Sequence, residues 1–394
     1  MRILYIHSTV QPPPTDLKTD RFCLLSGELE GDILQPIWFQ TPDEIEGMFG
    51  AGSWPVRTVG RFRYHWWPGN AARGIRQRLA TFGFYLRKGR ELHRERPFDC
   101  IVAYSHMTTG LLAGVLKLLT GARLIIEIAT SPDLIYVTER ARPRLRERAM
   151  KFYSDICLHL SMAMADRAHF LYPTQLQAYP ALRKMPNSVF HEFVPLSIID
   201  REEQKESEPY VLMVGSPWYL KGADLLIEAF LGLSADFPGV KLKILGHYPD
   251  RAELDALTRN SPAIEILKAR PHPEVLRIIQ GASVLVLPSR CEGLGRVLIE
   301  AMAAAVPVIG SDVGGIPMLV RDGDNGFLFP SGDSKALGAR LRTLLGDAAL
   351  RKRMGESGYA RAHGELNEEV YVRQFALMVE AAVHAKKPGT TGAI

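Results

Sequence analysis

The feature that most constrains this chain is an alternation. Short apolar runs of strand length recur through most of the sequence, each followed by a stretch with helical spacing. The early runs are RILYIH (2–7), CIVAYSH (100–106) and ARLIIEIA (122–129). The later ones are YVLMVG (210–215), VKLKILG (240–246), AIEILK (263–268), SVLVLPS (283–289) and VPVIGS (306–311). Such alternation implies βαβ units and parallel sheets, an α/β fold. Between the two sets lies DREEQKESEPY (200–210), polar, charged and almost without apolar residues, which reads as a linker. The expected organisation is a domain over 1–199, the linker, and a second domain over 211–365. A last amphipathic pattern and tail over 366–394 then packs its helix back on the first domain.

Composition excludes several classes. With 394 residues, 46% apolar and 23% charged, the chain has the means to build two cores, which sets disorder aside. Cys23, Cys100, Cys157 and Cys291 stand far apart and form no CxxC pair or Cys/His cluster. A reducing cytoplasm and no bound metal or cofactor are expected. The N-terminus lacks the pattern of a signal peptide, and no apolar run reaches the roughly 20 residues that span a bilayer.

Net charge is only +5, but it is unevenly placed: residues 57–96 hold eleven Lys or Arg against two Glu, interleaved with aromatic side chains. A second basic run, ERARPRLRERAMK, covers 139–151. Ile75, Leu79, Phe82 and Leu86 follow a 4-3-4 spacing, one apolar face of a helix surrounded by Arg73, Arg76, Arg78, Arg87, Lys88 and Arg90. A helix of this kind suits an anionic membrane surface, and equally a core with a solvated charged face. No nucleic-acid-binding motif accompanies the charge, so nucleic acid is not an expected partner.

In open α/β sheets ligands gather where strands end and helices begin. After YVLMVG, Gly215 ends a strand, and Ser216, Lys221 and Gly222 lie in the loop before an apolar-faced helix. A lysine beside a helix N-terminus suits a phosphate, although a surface lysine has the same local signature. After SVLVLPS comes CEGLGRVLIEAMAAAVPVIGSDVGG (291–315). Glu292 precedes the helix expected to start near Gly295, whereas Glu300 lies on its second turn. The two acids therefore reach different parts of one long ligand, with the amides around Gly293 and Gly295 left open to an anion. A ligand anionic in the middle and rich in hydroxyls at both ends fits, as a nucleotide sugar does. Gly314 and Gly315 either give a bulky ligand close access or make a tight turn.

The stretch from 211 to about 333 resembles the nucleotide-sugar domain of retaining GT-B glycosyltransferases of family 4. EGLGRVLIE is similar to that family's E-x7-E motif, VGSPWYLKGADLLIEAF to its phosphate loop and helix, and GGIPMLVRDGDNGFLFP to its closing segment. The resemblance implies two Rossmann-like domains facing each other across a cleft. It implies Glu300 on the ribose, Glu292 on the donor sugar and Lys221 on the diphosphate, with Lys221 and Glu292 the catalytic pair. Gly215, Ser216, Gly293, Leu294, Gly295, Arg296 and Val297 would line the donor, and Arg270 in KARPHPEV would neighbour the base. The chain departs from the pattern at Ser216, where the family usually has Arg, and at Met318, where it often has Glu. Arg290 or Arg296 is the expected replacement for the missing guanidinium.

The N-terminal half resembles the family less. His106, Glu127 and Thr130 follow strand ends there and are expected on the acceptor side; a structural, hydrogen-bonded imidazole is the other reading of His106. RDGDNG (321–326) superficially resembles a metal-binding Asp-x-Asp, but Asp, Gly and Asn in a turn account for it. The expected activity is metal-independent transfer of a hexose from a UDP- or GDP-sugar to an acceptor, lipid-linked or at the cytoplasmic membrane surface. A nucleotide-sugar epimerase of the same architecture, or an inactive nucleotide-sugar-binding partner, are the alternatives.

Overall fold

The computed structural model describes residues 1–7, 20–36, 56–67, 75–128, 145–179, 182–199, 209–248 and 251–385. The chain divides into two compact units. Unit 1 takes Met1–Ala129, Phe152–Phe190 and Glu369–Ile394, and unit 2 takes Thr130–Lys151 and His191–Glu368.

Unit 1 begins β1 (Arg2–Ile6), α1 (Arg21–Leu25), β2 (Glu30–Pro36), β3 (Val56–Val59), β4 (Phe62–Trp67) and α2 (Ile75–Glu95). It continues β5 (Cys100–Tyr104), α3 (Thr108–Thr120), β6 (Arg123–Ile128), α4 (Leu145–Met164), which belongs to this unit from Phe152 on, β7 (Arg167–Phe170), the single turn α5 (Gln175–Ala178) and β8 (Asn187–Val189). The eight strands lie in the order β3-β4-β2-β1-β5-β6-β7-β8. All neighbouring pairs are parallel except β3 with β4. Tyr85 and Leu92 of α2, Leu112, Ala113 and Leu116 of α3, and Leu158 and Met162 of α4 share one core with Leu4, Ile6, Ile101, Ala103, Leu124 and Ile126. Three helices therefore form one layer over one face of this sheet.

Unit 2 runs β9 (Tyr210–Val214), α6 (Ala223–Leu231), β10 (Lys241–Gly246), α7 (Ala252–Leu257), β11 (Ile264–Lys268), α8 (His272–Gln280) and β12 (Val284–Leu287). It then runs α9 (Arg296–Ala303), β13 (Val308–Ser311), α10 (Ile316–Leu319), β14 (Gly326–Phe329), α11 (Ser334–Gly346) and α12 (Ala348–Glu365). Its sheet is wholly parallel, in the order β11-β10-β9-β12-β13-β14. Numbered within the unit this is 3-2-1-4-5-6, the doubly wound order whose direction reverses between β9 and β12. All four residues of β12 are buried, and both faces of the sheet are covered, which is why these strands read as unbroken apolar runs rather than as alternations.

α13 (Glu368–Val383) returns to unit 1. Tyr371 meets Phe190 edge-on with ring centroids 5.7 Å apart, Phe375 lies 6.4 Å from Tyr5, and Arg21 Nη1 donates to Tyr371 Oη at 3.1 Å. Residues 191–199 group with unit 2 rather than with the first domain expected from sequence. There a short turn, Leu196–Ile198, receives α13, and Ser197 N–H donates to Glu368 Oε1 at 2.8 Å.

α2 corrects the apolar face read from spacing. Its buried residues are Thr81, Tyr85, Gly89 and Leu92, while Leu79 is 67% exposed and Phe82 and Leu86 are half-buried. Gly89 decides the rotation: a Cβ there would lie 3.0 Å from the Leu116 methyls, so α3 crosses α2 at the glycine and not at the larger side chains.

Candidate functional site

The reversal between β9 and β12 sets two loops side by side, one from Gly215 to Gly222 and one from Pro288 to Gly295. Each ends in a glycine that starts a helix from the left-handed region, Gly222 at φ 75° for α6 and Gly295 at φ 85° for α9. Glycine has no side chain to cap either helix, and at α6 the first N–H, that of Ala223, donates to the Trp218 carbonyl at 2.9 Å. Gly222 has a second reason to be glycine: a Cβ would stand 1.9 Å from the Pro288 carbonyl oxygen, which is how closely the two loops approach.

Lys221 and Glu292, expected on the diphosphate and the donor sugar, are in direct contact. Lys221 Nζ donates to Glu292 Oε2 at 2.7 Å. Their side chains are only 18% and 9% exposed. Ser289 Oγ donates to the same oxygen at 2.9 Å, and Gly293 N–H donates to Oε1 at 3.1 Å. The lysine stem crosses Gly215, where a Cβ would lie 3.1 Å from Lys221 Cγ; the glycine is the residue that lets the ammonium reach the far loop.

The glycine pair is used by the protein itself. Gly314, at φ 56°, sits where a Cβ would be 2.1 Å from the Glu292 carbonyl oxygen, and Gly315 N–H donates to the Gly293 carbonyl at 2.7 Å. The close approach anticipated for a ligand is thus made by the backbone of the Glu292 loop.

Glu300 is buried on α9, and its Oε1 lies 3.0 Å from Nε2 of His272, the first residue of α8. Spacing alone gave no sign of this partner, although it sits two residues beyond Arg270 in the segment already singled out. Arg270 is half-exposed and 3.8 Å from Glu274. Leu294 is buried, Val297 half-buried, and Arg296 exposed at 4.0 Å from Glu192. Ser216 is exposed and donates to the His247 carbonyl at 2.8 Å.

Arg290 does not fill the place of the missing arginine. Its guanidinium is held by both carboxylate oxygens of Asp224, at 2.7 and 2.6 Å, by the Tyr219 carbonyl at 2.6 Å, and over the Tyr219 ring at 4.0 Å. Bonding to Asp224 keeps it above its ordinary pKa against the opposing effect of burial. All its strong donors face the start of α6, so it fastens that loop rather than a ligand.

In unit 1, His106 is 1% exposed and its Nε2 lies 2.9 Å from Ser154 Oγ on α4. Burial lowers its pKa to about 4, so the ring is neutral near pH 7. It follows Ser105, a non-glycine residue at φ 109°, a strained corner at the end of β5. Glu127 is buried and engaged by Tyr5 Oη and, at 3.0 Å, by His169 Nδ1. Burial raises its pKa, but the bonds from His169 and Tyr5 and the charge of Arg21 bring it below the usual value. Both side chains are thus taken up by internal hydrogen bonds. Thr130 lies outside the described residues.

Asp322 and Asp324 behave as turn residues. Asp322 accepts from Leu328 N–H and Arg340, and Asp324 from Ser357 Oγ. Among the described residues no three His, Cys, Asp or Glu are grouped to hold a metal ion, and all four cysteines are free thiols.

Residues 197–361 match the family described as glycosyl transferases group 1. The match falls within unit 2. An uncharacterised glycosyltransferase of Methanocaldococcus jannaschii is 36% identical over 147 residues, 37% of this chain and 41% of its own. The N-acetyl-alpha-D-glucosaminyl L-malate synthase of Bacillus anthracis is 28% identical over 237 residues, 60% of this chain and 62% of its own. The chain thus matches less than two thirds of the length of these relatives. Among solved structures, sucrose-phosphate synthase from Thermosynechococcus elongatus covers 96% of this chain and 98% of its own at a TM-score of 0.73 and 19% identity. HepE of Anabaena, solved with UDP-glucose, covers 97% of this chain and 100% of its own at 0.69 and 14%. The likeness takes in both units, and the fold is that of the GT-B glycosyltransferases. The matched segment contains both the Lys221–Glu292 and the His272–Glu300 pair.

Proposed function

We propose that the chain is a retaining hexosyltransferase that takes its sugar from a nucleoside diphosphate donor. The observation that carries this reading is the Lys221–Glu292 contact at the reversal point of unit 2, beside the uncapped start of α9. Lys221 and the first N–H groups of α9 would hold the diphosphate and stabilise the charge it gains as it departs, without a metal ion. Glu292, once its lysine turns to phosphate, would have an oxygen for a donor-sugar hydroxyl. Glu300, with one oxygen held by His272, would offer the other to the ribose diol, and Arg270 would border the base.

The UDP-glucose bound by HepE supports a UDP-sugar as donor, with a GDP-sugar as the alternative. The acceptor we favour is lipid-linked and reached at the cytoplasmic membrane surface, as the basic charge of 57–96 suggests.

The test is stabilisation of the purified chain by a panel of UDP-, GDP- and ADP-sugars. A donor at about 100 times its Kd adds about 2.7 kcal/mol to the folded state. One nucleotide series should raise the melting temperature, and Lys221→Met or Glu300→Gln should abolish the rise. No response to any donor would sink the proposal. Incubating the protein with the donor alone separates transfer from epimerisation, because an epimerase changes the sugar with no acceptor present.

A further inference from the structure

α4 is apolar on two sides. It buries Leu158 and Met162 in the core beside Ser154, Cys157 and Ser161, and yet exposes Phe152, Ile156 and Leu160, at 69%, 42% and 52%. The last three recur every fourth residue and so form a single stripe. The neighbouring helix continues it: α3 leaves Leu118 74% and Leu119 49% exposed. The two helices touch at the end of α4, where Lys117 Nζ donates to the Met164 carbonyl at 2.8 Å and a Cβ on Gly114 would lie 2.2 Å from the Met164 methyl.

On the other side of α3, α2 turns outward Leu79 and a row of exposed arginines, Arg76, Arg87, Arg90 and Arg94. Its acids are few: Glu91 lies 2.5 Å from Lys88, and Glu95 is 3.7 Å from Arg63. Arg148 and Lys151 are exposed on α4 ahead of Phe152. The outer face of this helix layer is therefore apolar over α3 and α4 and cationic along α2.

We propose that this face docks on a bilayer carrying anionic lipid, with Phe152, Ile156, Leu160 and Leu118 entering the headgroup boundary and the α2 arginines on lipid phosphates. Charge selects this occupant over a second copy of the chain. A second copy would present the same apolar and cationic patch and no counter-charge for the arginines, whereas an anionic surface neutralises them. Apolar area set beside Lys and Arg is what interfacial binding requires. Among the described residues no helix is long and apolar enough to cross a membrane, which agrees with contact from one side. The inference deepens the membrane part of the proposed function and relocates it: the contact lies on the outer faces of three helices, not on the apolar stripe of 75–86.

The experiment is co-sedimentation of the full chain with vesicles of phosphatidylcholine, with and without about one third phosphatidylglycerol, at low and high salt. The chain should bind only the anionic vesicles and weaken with salt. The triple variant Phe152→Ser, Ile156→Ser, Leu160→Ser and the quadruple variant Arg76→Gln, Arg87→Gln, Arg90→Gln, Arg94→Gln should each lower partitioning by about tenfold or more. If the triple variant fails to fold, Ile156→Trp in the parent chain answers instead, since the fluorescence it adds should be quenched by brominated lipid. Absence of binding, binding indifferent to both variants, or added fluorescence that brominated lipid leaves unquenched overturns the inference. So does a serine variant that keeps its vesicle binding but turns a dimer into a monomer. Donor stabilisation measured in parallel keeps the readings apart: a chain that binds nucleotide sugar and ignores vesicles retains the transferase and loses this surface.

Discussion

The Lys221–Glu292 contact can be weighed by a double-mutant cycle in the ligand-free protein. At 2.7 Å the Coulomb attraction is about 1.5 kcal/mol at the permittivity of water and about 6 kcal/mol at an effective value near 20. With side chains 18% and 9% exposed, the pair sits nearer the second limit, but part of that attraction offsets the loss of water around both charges. A net coupling of about 1–3 kcal/mol is expected. Lys221→Met alone strands the carboxylate with the Ser289 and Gly293 bonds, which should destabilise the protein by about 2–4 kcal/mol. For a unit of this size that lowers the melting temperature by very roughly 5–10 °C. Glu292→Gln keeps the Gly293 bond on its carbonyl oxygen while the Ser289 hydroxyl turns to accept from its NH2 group, and should be milder because the lysine stem can swing its ammonium toward water. The double variant should recover part of the lysine loss, because no unpaired charge is left behind. Urea and thermal unfolding of the four proteins give the cycle. Effects that add to within about 0.5 kcal/mol would show that the contact carries no energy and that the site is not assembled as described.

Two further outcomes follow from geometry. His106, with an ordinary pKa of 6.5 and a folded value of about 4, takes up its proton in the unfolded chain first. Its stability contribution is therefore complete above about pH 6.5 and is lost as pH falls toward 4, by roughly 3 kcal/mol over the window. His106→Gln should flatten this part of the stability–pH curve, and an unchanged slope would contradict the buried neutral imidazole. Gly314→Ala, with its Cβ 2.1 Å from the Glu292 carbonyl oxygen, should cost about 1–3 kcal/mol and remove donor stabilisation. Gly323→Ala, also at positive φ but with open space around it, should show only the milder backbone strain and keep donor binding.

The strands and the loops that follow them were legible because both are local. Buried parallel strands declare themselves as apolar runs, and the residues after each run are the ones a doubly wound sheet exposes. Gly215, Lys221, Glu292 and Glu300 were found in this way, as was the start of α9 at Gly295. Which of them touch was not legible. The Lys221–Glu292 contact spans two loops 71 residues apart and exists only because β9 and β12 are neighbours. Likewise, His272 meets Glu300 only once α8 and α9 are both in place, and Asp224 claims Arg290 across the same pair of loops.

The helix layer of unit 1 makes the same point for surfaces. Spacing found that α2 is amphipathic, since periodicity is a property of one element. It could not choose the inward side, because that depends on where a neighbour can approach, and α3 approaches at Gly89. Nor could it mark Phe152, Ile156 and Leu160 as exposed, because an apolar stripe has the same spacing whether it faces a core or a membrane. The sequence by itself determined two parallel α/β units and a set of polar residues at strand ends. Tertiary structure alone decided which charges pair and which apolar faces are left for something else, since both follow from contacts between segments far apart in the chain.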